Sequence, residues 1–356
     1  MTLRIGILTG GGDCPGLNAV IRAVAKSLMR QCGAEVIGIE DGFAGLLEDA
    51  PRVRPLTWEA VSGILMLGGT ILGTSNRADP LRSPADTERV LRHVQALGLQ
   101  GLVVIGGDGS MRIAHGLAAH GLRVVGVPKT IDNDIPGCER SFGFDTAVAT
   151  VTEAIERLQT TAQSHGRVMI VETMGRYAGW IALEAGLAGA ADVILLPEID
   201  YDIEAVAAVC RARAQRRRHT IVCIGEGAKP VGGALTVQAH EAGRPEPLRL
   251  GGVAHALAQA LQPRVSSEVR ATVLGHVQRG GSPTPFDRVL ATQYGNEAAQ
   301  LVMAAAWGRM VTLQQGRLGS VALADAAHGS RQVPPDHALL RAARQIGVHL
   351  GERLGA

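Results

Sequence analysis

Short runs rich in Val, Ile and Leu alternate with stretches of helical periodicity from residue 4 to residue 274 of this chain. The strand candidates are 4–8, 35–39, 102–105, 123–127, 168–171, 192–195, 220–224 and 271–274. The helical candidates between them are 17–32, 84–97, 147–163, 203–217 and 251–261. Each parallel pairing needs a long crossover, and an amphipathic helix laid on the sheet is the usual one, so this order predicts parallel sheets covered by helices on both faces. The expected fold class is α/β, with doubly wound three-layer domains. In such folds ligands meet the carboxyl ends of the strands, so the loops after strands are where chemistry is sought.

At 356 residues the chain exceeds what one core usually supports, and two domains are expected. The 46 glycines are many and aromatics are only 3%, a composition suited to backbone that approaches a ligand closely. The net charge of +2 gives no bulk attraction to nucleic acid or to a membrane. The one dense basic run, Arg211, Arg213 and 216–219, reads as the solvated end of a helix. Five scattered cysteines without metal-ligand spacing suggest reduced thiols. The N-terminus runs straight into a strand candidate without a signal-peptide pattern, and no apolar run is long enough to span a bilayer; a cytoplasmic location is expected. The Gly- and Pro-rich segment 229–252 reads as a surface excursion.

Three post-strand loops carry the chemistry. Thr9-Gly10-Gly11-Gly12-Asp13-Cys14-Pro15-Gly16 lies between a strand and a helix, where glycines let backbone N–H groups approach a phosphate, although such turns also serve tight packing. Gly106-Gly107-Asp108-Gly109-Ser110 sets a carboxylate in a glycine nest. That suits Mg²⁺, which favours one or two carboxylates plus phosphate oxygens; the plainer alternative is an Asp capping the next helix. Pro128-Lys129-Thr130-Ile131-Asp132-Asn133-Asp134 offers two carboxylates, one to accept a proton from an attacking hydroxyl and one to help organise a metal; the plainer alternative is an Asx-rich turn.

With these motifs in order, the chain resembles the phosphofructokinase family. The likeness continues through Gly68-Gly69-Thr70-Ile71-Leu72-Gly73-Thr74-Ser75-Asn76-Arg77, Met174-Gly175-Arg176 and Leu274-Gly275-His276-Val277-Gln278-Arg279-Gly280-Gly281-Ser282, from about residue 5 to residue 296. The resemblance implies a glycolytic kinase using Mg²⁺ and ATP, with the active site in a cleft between two domains. The larger, donor-binding domain would hold 1–142 plus about 276–325. The smaller, fructose 6-phosphate-binding domain would hold 143–275 plus about 326–356.

The resemblance also implies roles. Asp132 would be the general base, with Thr130 and Arg176 completing the catalytic set, and Asp108 the Mg²⁺ position. Gly12, Arg77, Gly107, Asp108, Gly109 and Ser110 would bind the donor; the loop around Arg77 is one residue longer than in the best-known bacterial members. Fructose 6-phosphate would be held by Thr130, Asp132, Arg167, Met174, Gly175, Arg176, Glu226, Arg270, His276 and Arg279. Arg167 and Arg270 come from a neighbouring subunit in relatives, so a homo-oligomer with shared sites is expected, a tetramer or a dimer.

Gly109 and Lys129 bear on the donor. Pyrophosphate users in the family usually carry Asp followed by Lys at these positions, and many ATP users carry Gly at both. This chain is mixed, like a bacterial and actinobacterial-type subgroup in which ATP use is common. ATP is the expected donor, with a pyrophosphate-dependent phosphotransferase on the same fold as the alternative. Among effector positions Arg22 and Lys26 fit the family pattern, whereas Gln159 and Gln215 stand where basic residues are usual. A nucleoside or lipid kinase sharing only the 106–110 loop would leave the 128–134 and 274–282 motifs unexplained. A non-catalytic sugar-phosphate sensor would not need Asp108, Asp132, Asp134 and Arg176 together.

Overall fold

The computed structural model describes residues 2–216, 218–240, 248–327 and 329–353. The chain divides into two compact units. The first comprises Met1–Ile131, Ile135–Thr146 and Arg279–Ser330, and the second Asp132–Asp134, Ala147–Gln278 and Arg331–Ala356.

In the first unit β1 (Arg4–Gly10), β2 (Glu35–Ile39), β3 (Val53–Pro55), β4 (Gly101–Gly106) and β5 (Val124–Pro128) form a seven-stranded sheet with two later strands, β12 (Arg309–Gln314) and β13 (Arg317–Ala322), in the order β13-β12-β5-β4-β1-β2-β3. The middle is parallel, but β3 and β13 pair antiparallel at the two edges, so the sheet is mixed rather than wholly parallel. Strands β4 and β5 are buried along their whole length, as expected of central strands covered on both faces. After β2 and β3 the chain returns to the other side of β1 as β4. The order therefore reverses between β1 and β4, and the crevice at a doubly wound sheet's carboxyl ends opens at such a reversal.

The helix Leu17–Cys32 starts after Gly16 (φ 106°) and stops at Gly33 (φ 63°), both in the left-handed region that favours glycine. It packs on the helix Pro285–Met303 through small residues: a Cβ added at Gly295 would lie 2.7 Å from Ala23 Cβ.

The second unit holds an all-parallel sheet of β6 (Val168–Thr173), β7 (Val193–Leu195), β8 (Thr220–Gly225) and β11 (Val269–Val273), ordered β11-β6-β8-β7. Val168, Ile170, Val193, Val222 and Ile224 meet Val206 and Leu257 from the covering helices. The expected excursion at 229–252 contains an antiparallel hairpin, β9 (Val237–His240) and β10 (Leu248–Leu250); part of that segment lies outside the described residues.

The basic run is more than a solvated helix end. Arg213 Nη1 pairs with Asp192 Oδ1 at 2.7 Å and Arg211 with Glu204 at 3.7 Å, while Arg217 lies outside the described residues. The cysteines are free thiols, and among the described residues no helix is long and apolar enough to cross a membrane.

Candidate active site

The three chemistry-bearing loops leave the carboxyl ends of adjacent parallel strands. Register places Gly10 opposite Gly106 and Gly106 opposite Pro128, so strand pairing alone brings the loops side by side. Ser110 sits between the first two. A Cβ added at Gly10 would fall 2.6 Å from Ser110 Oγ, and one at Gly106 would fall 2.3 Å from it, so neither position accepts a side chain. A Cβ at Gly12 would lie 2.9 Å from Arg279 Nη1, which donates to Asp13 O at 3.1 Å. Arg279, expected at the sugar, is thus placed against the first glycine loop.

Lys129 supports the same loop from beneath. It is 3% exposed and its Nζ donates to Gly12 O. Burial lowers the pKa of this ammonium. Cys14 beside it has a thiol pushed up to about 12 by its own burial, so at neutral pH it is protonated and adds no charge. The fourth loop is stitched to the first: Gly11 N donates to Ser75 O (3.0 Å), Thr74 Oγ1 to Gly11 O (2.7 Å) and Thr9 Oγ1 to Gly73 O (2.6 Å). Arg77 follows this stitched stretch and is exposed.

Asp108 does not cap the helix after β4. The N-cap is Gly107, without a side-chain hydrogen bond, and Asp108 is the first residue of the helix Asp108–Ala119, its side chain exposed. A Cβ added at Gly109 meets nothing within 4 Å. Among the described residues no group of three or more His, Cys, Asp or Glu could hold a metal, so no all-protein cage is present. One exposed carboxylate in a glycine nest is nonetheless a fitting donor set for Mg²⁺ when phosphate oxygens complete the shell.

In the second unit, residues 174–176 follow β6 and Glu226 follows β8, again on adjacent strands with Thr173 opposite Gly225. Glu226 N donates to Thr173 O at 2.9 Å and Met174 N to Gln278 Oε1 at 3.2 Å. Gly175 takes φ 118°, and a Cβ at Gly227 would lie 2.0 Å from Arg176 O, so glycine is required where these two loops cross. The Arg176 guanidinium stands 5.0 Å from the Tyr177 ring centroid. Asp132 is half-buried in a turn whose next residue, Asn133, has φ 55°. Thr130 is buried, and its carbonyl accepts from Ser141 Oγ at 2.8 Å. His276 is exposed in the turn after β11, so it is not a core histidine.

Arg167 and Arg270 come together elsewhere. Arg167 precedes β6 and Arg270 is the second residue of β11, and Glu268 bridges them, with Arg167 Nε 2.5 Å from Glu268 Oε2. The hydrogen bond from Arg167 is the main reason the Glu268 pKa is lowered. Arg167 and Met174 flank the six-residue strand β6 at opposite ends, about 23 Å apart at ~3.3 Å per residue. Gln278, with no exposed surface, clamps the loop carrying Arg176; the 274–282 motif contains this residue, but its partner Met174 lies 104 residues away in the chain.

The family profile described as phosphofructokinase matches residues 4–302. The chain belongs to the phosphofructokinase family. An ATP-dependent 6-phosphofructokinase of Chloroflexus aurantiacus is 48% identical over 99% of this chain and 98% of its own length. One from Mycobacterium tuberculosis is 48% identical over 93% of this chain and 96% of its own. Among solved structures, Pichia pastoris phosphofructokinase aligns with a TM-score of 0.80 at 30% identity, covering 92% of this phosphofructokinase chain and 35% of that much longer one. A pyrophosphate-dependent phosphofructokinase of Nitrosospira multiformis aligns with a TM-score of 0.83 at 20% identity, a likeness of fold alone.

Proposed function

We propose that this chain transfers the γ-phosphoryl group of ATP to the 1-hydroxyl of fructose 6-phosphate, giving fructose 1,6-bisphosphate and ADP. The observation that carries the reading is near-full-length likeness to relatives named for that activity. The glycine loops packed around Ser110 support it.

In this reading the first unit's loops hold the donor through Gly12, Arg77 and 107–110. Asp132 accepts the proton of the sugar hydroxyl as its oxygen bonds to phosphorus. The bond from the γ-phosphorus to the bridging oxygen breaks, and ADP leaves with the electron pair. Arg176 stabilises charge on the phosphoryl group in transfer. Asp108 would hold Mg²⁺, whose charge, when bound, offsets that of the phosphates. Thr130, 174–176, Glu226, His276 and Arg279 would hold the sugar phosphate. Arg167 and Arg270, at the far end of β6 from Met174, would serve a neighbouring copy's 6-phosphate, because an Arg pair matches phosphate oxygens bidentately. A fully active monomer in sedimentation analysis would remove that last assignment.

The test is a coupled assay with fructose 6-phosphate, ATP against pyrophosphate, on wild type and Asp132→Asn. We expect ATP to be preferred and kcat to fall by roughly 10²–10⁴ in the variant. Near wild-type turnover by Asp132→Asn would sink the base assignment, and a preference for pyrophosphate the donor assignment.

A further inference from the structure

Residues 331–333 lie beyond the stretch that the family profile matches, yet each is bonded to a loop of the second unit. Arg331 N donates to Asp134 O at 2.7 Å, and Arg331 Nη2 donates to Asn133 O at 2.8 Å. Arg331 O accepts from Trp180 Nε1 at 2.8 Å, and its guanidinium lies 4.2 Å from the Trp180 ring centroid. Gln332 Nε2 donates to Tyr177 O at 3.2 Å. Val333 N donates to Glu198 Oε1 at 2.8 Å, and the same carboxylate oxygen accepts from Gly179 N at 2.9 Å. This strap therefore grips the turn carrying Asp132 and the loop carrying Arg176.

The turn needs the grip. Asn133 is at φ 55°, in the left-handed region that Asn enters more readily than most residues but that its surroundings must still hold. Two successive carbonyls, those of Asn133 and Asp134, are both occupied by Arg331, so neither peptide can rotate without losing a hydrogen bond. The donor to Asn133 O is a cation, and such charge-assisted bonds are roughly twice as strong as neutral ones. The guanidinium is itself fixed by lying on the indole.

We infer that Arg331 is a positioning residue for the phosphoryl transfer: it holds the 132–134 turn so that the Asp132 carboxylate keeps one orientation toward the sugar hydroxyl. The inference rests on the reading of Asp132 as the base. Arg331 itself touches no reacting atom; it acts through the backbone next to Asp132.

The experiment is a double-mutant cycle. Arg331→Met keeps the stem and removes the cation, and Arg331→Lys keeps a single donor for Asn133 O; each is made in wild type and in Asp132→Asn. Misplacing a catalytic group by about 1 Å costs on the order of 10²-fold. Arg331→Met should therefore lower kcat by roughly 10–100-fold while the ATP KM stays within about 3-fold, and Arg331→Lys should recover part of the loss. In the Asp132→Asn background, where no base remains to be aimed, Arg331→Met should lower the residual rate by less than about 3-fold. Equal fold losses in both backgrounds overturn the inference and leave the base assignment standing. Near wild-type turnover by Asp132→Asn alone removes the base assignment, and the inference with it. If Arg331→Met is insoluble, Arg331→Lys decides by the same comparison between backgrounds.

Discussion

Gly109→Asp separates folding from donor choice: the structure leaves room for the new side chain, and the proposed donor site predicts what that side chain does to ATP. A Cβ at this position meets nothing within 4 Å, and the site is the second residue of the helix Asp108–Ala119. A carboxylate near a helix N-terminus is favoured by about 0.3–1 kcal/mol, so the variant should melt at or slightly above the wild-type temperature. With ATP bound the new charge would face the α-phosphate. Two like charges about 4 Å apart cost about 4 kcal/mol at an effective dielectric near 20, before relaxation. Allowing about a third of that to relax leaves about 2.7 kcal/mol, a loss in kcat/KM for ATP of ~10²-fold. Pyrophosphate has no α-phosphate-to-nucleoside continuation and should lose far less. The assay is the ratio of ATP to pyrophosphate efficiency in wild type and variant, with a thermal melt of each. A ratio unchanged within about 3-fold, at unchanged stability, would refute the reasoning that position 109 faces the donor.

Two further perturbations follow from buried ionisable groups. Lys129→Met keeps an apolar stem under the glycine loop but removes the bond to Gly12 O; the carbonyl left without that donor costs about 1–3 kcal/mol, so the melt should fall by a few degrees while kcat/KM for ATP falls by roughly 10–100-fold, and a variant with unchanged ATP kinetics would show that the loop holds its shape unaided. Asp287 is fully buried and accepts from Thr146 N at 2.8 Å and Thr146 Oγ1 at 2.6 Å, and burial raises its carboxyl from 3.8 to about 6. The native state thus holds this proton longer than the unfolded chain does, so the stability tied to it is complete below about 3.8, drains as pH rises toward 6 and is gone above, at most about 3 kcal/mol in all; urea unfolding at pH 4.5 and 7.5 should show wild type losing ground to Asp287→Asn over that interval, and parallel pH profiles would contradict it.

The elements legible in the sequence are those whose burial leaves a pattern. Residues 35–39 and 17–32 read as strand and helix with the ends that the structure shows, because one carries Val36, Ile37 and Ile39 within five residues and the other an apolar stripe. The helix Trp180–Ala188 escaped because it is apolar nearly all round and so shows no stripe. The helix Pro285–Met303 escaped because it meets its neighbour through Ala and Gly, which carry little apolar signal. The β12–β13 hairpin turns on Gln315 (φ 51°) and Gly316 (φ 71°), a two-residue turn with both residues left-handed whose Gln-Gly pair is a weaker cue than Asn-Gly. In the site, motifs within one loop were legible by adjacency. Contacts across the chain were not, since Lys129 and Gly12 are 117 residues apart, Arg279 and Asp13 266, and Arg331 and Asn133 198, and no local pattern encodes a partner so distant.

The mixed pair Gly109 and Lys129 acquires a physical meaning from that long-range geometry. Read as a string, Lys129 offers a positive charge to whichever donor binds, and it weakens any inference drawn from Gly109. In the folded protein its ammonium is buried and committed to the Gly12 carbonyl, with Arg279 pressing on the same loop from the Asp13 side. Its Nζ is held by the Gly12 carbonyl, which fixes where its charge sits, and burial lowers its pKa from the ordinary lysine value. Lysine at 129 is then a support of the glycine loop that either donor class tolerates. Under the proposed function, the residue that would discriminate between donors is the one with open space before it, Gly109. An ATP-binding site that keeps this lysine is therefore self-consistent under the proposed function: the space at 109 would admit the nucleotide, and the lysine would hold up the loop that receives its phosphates.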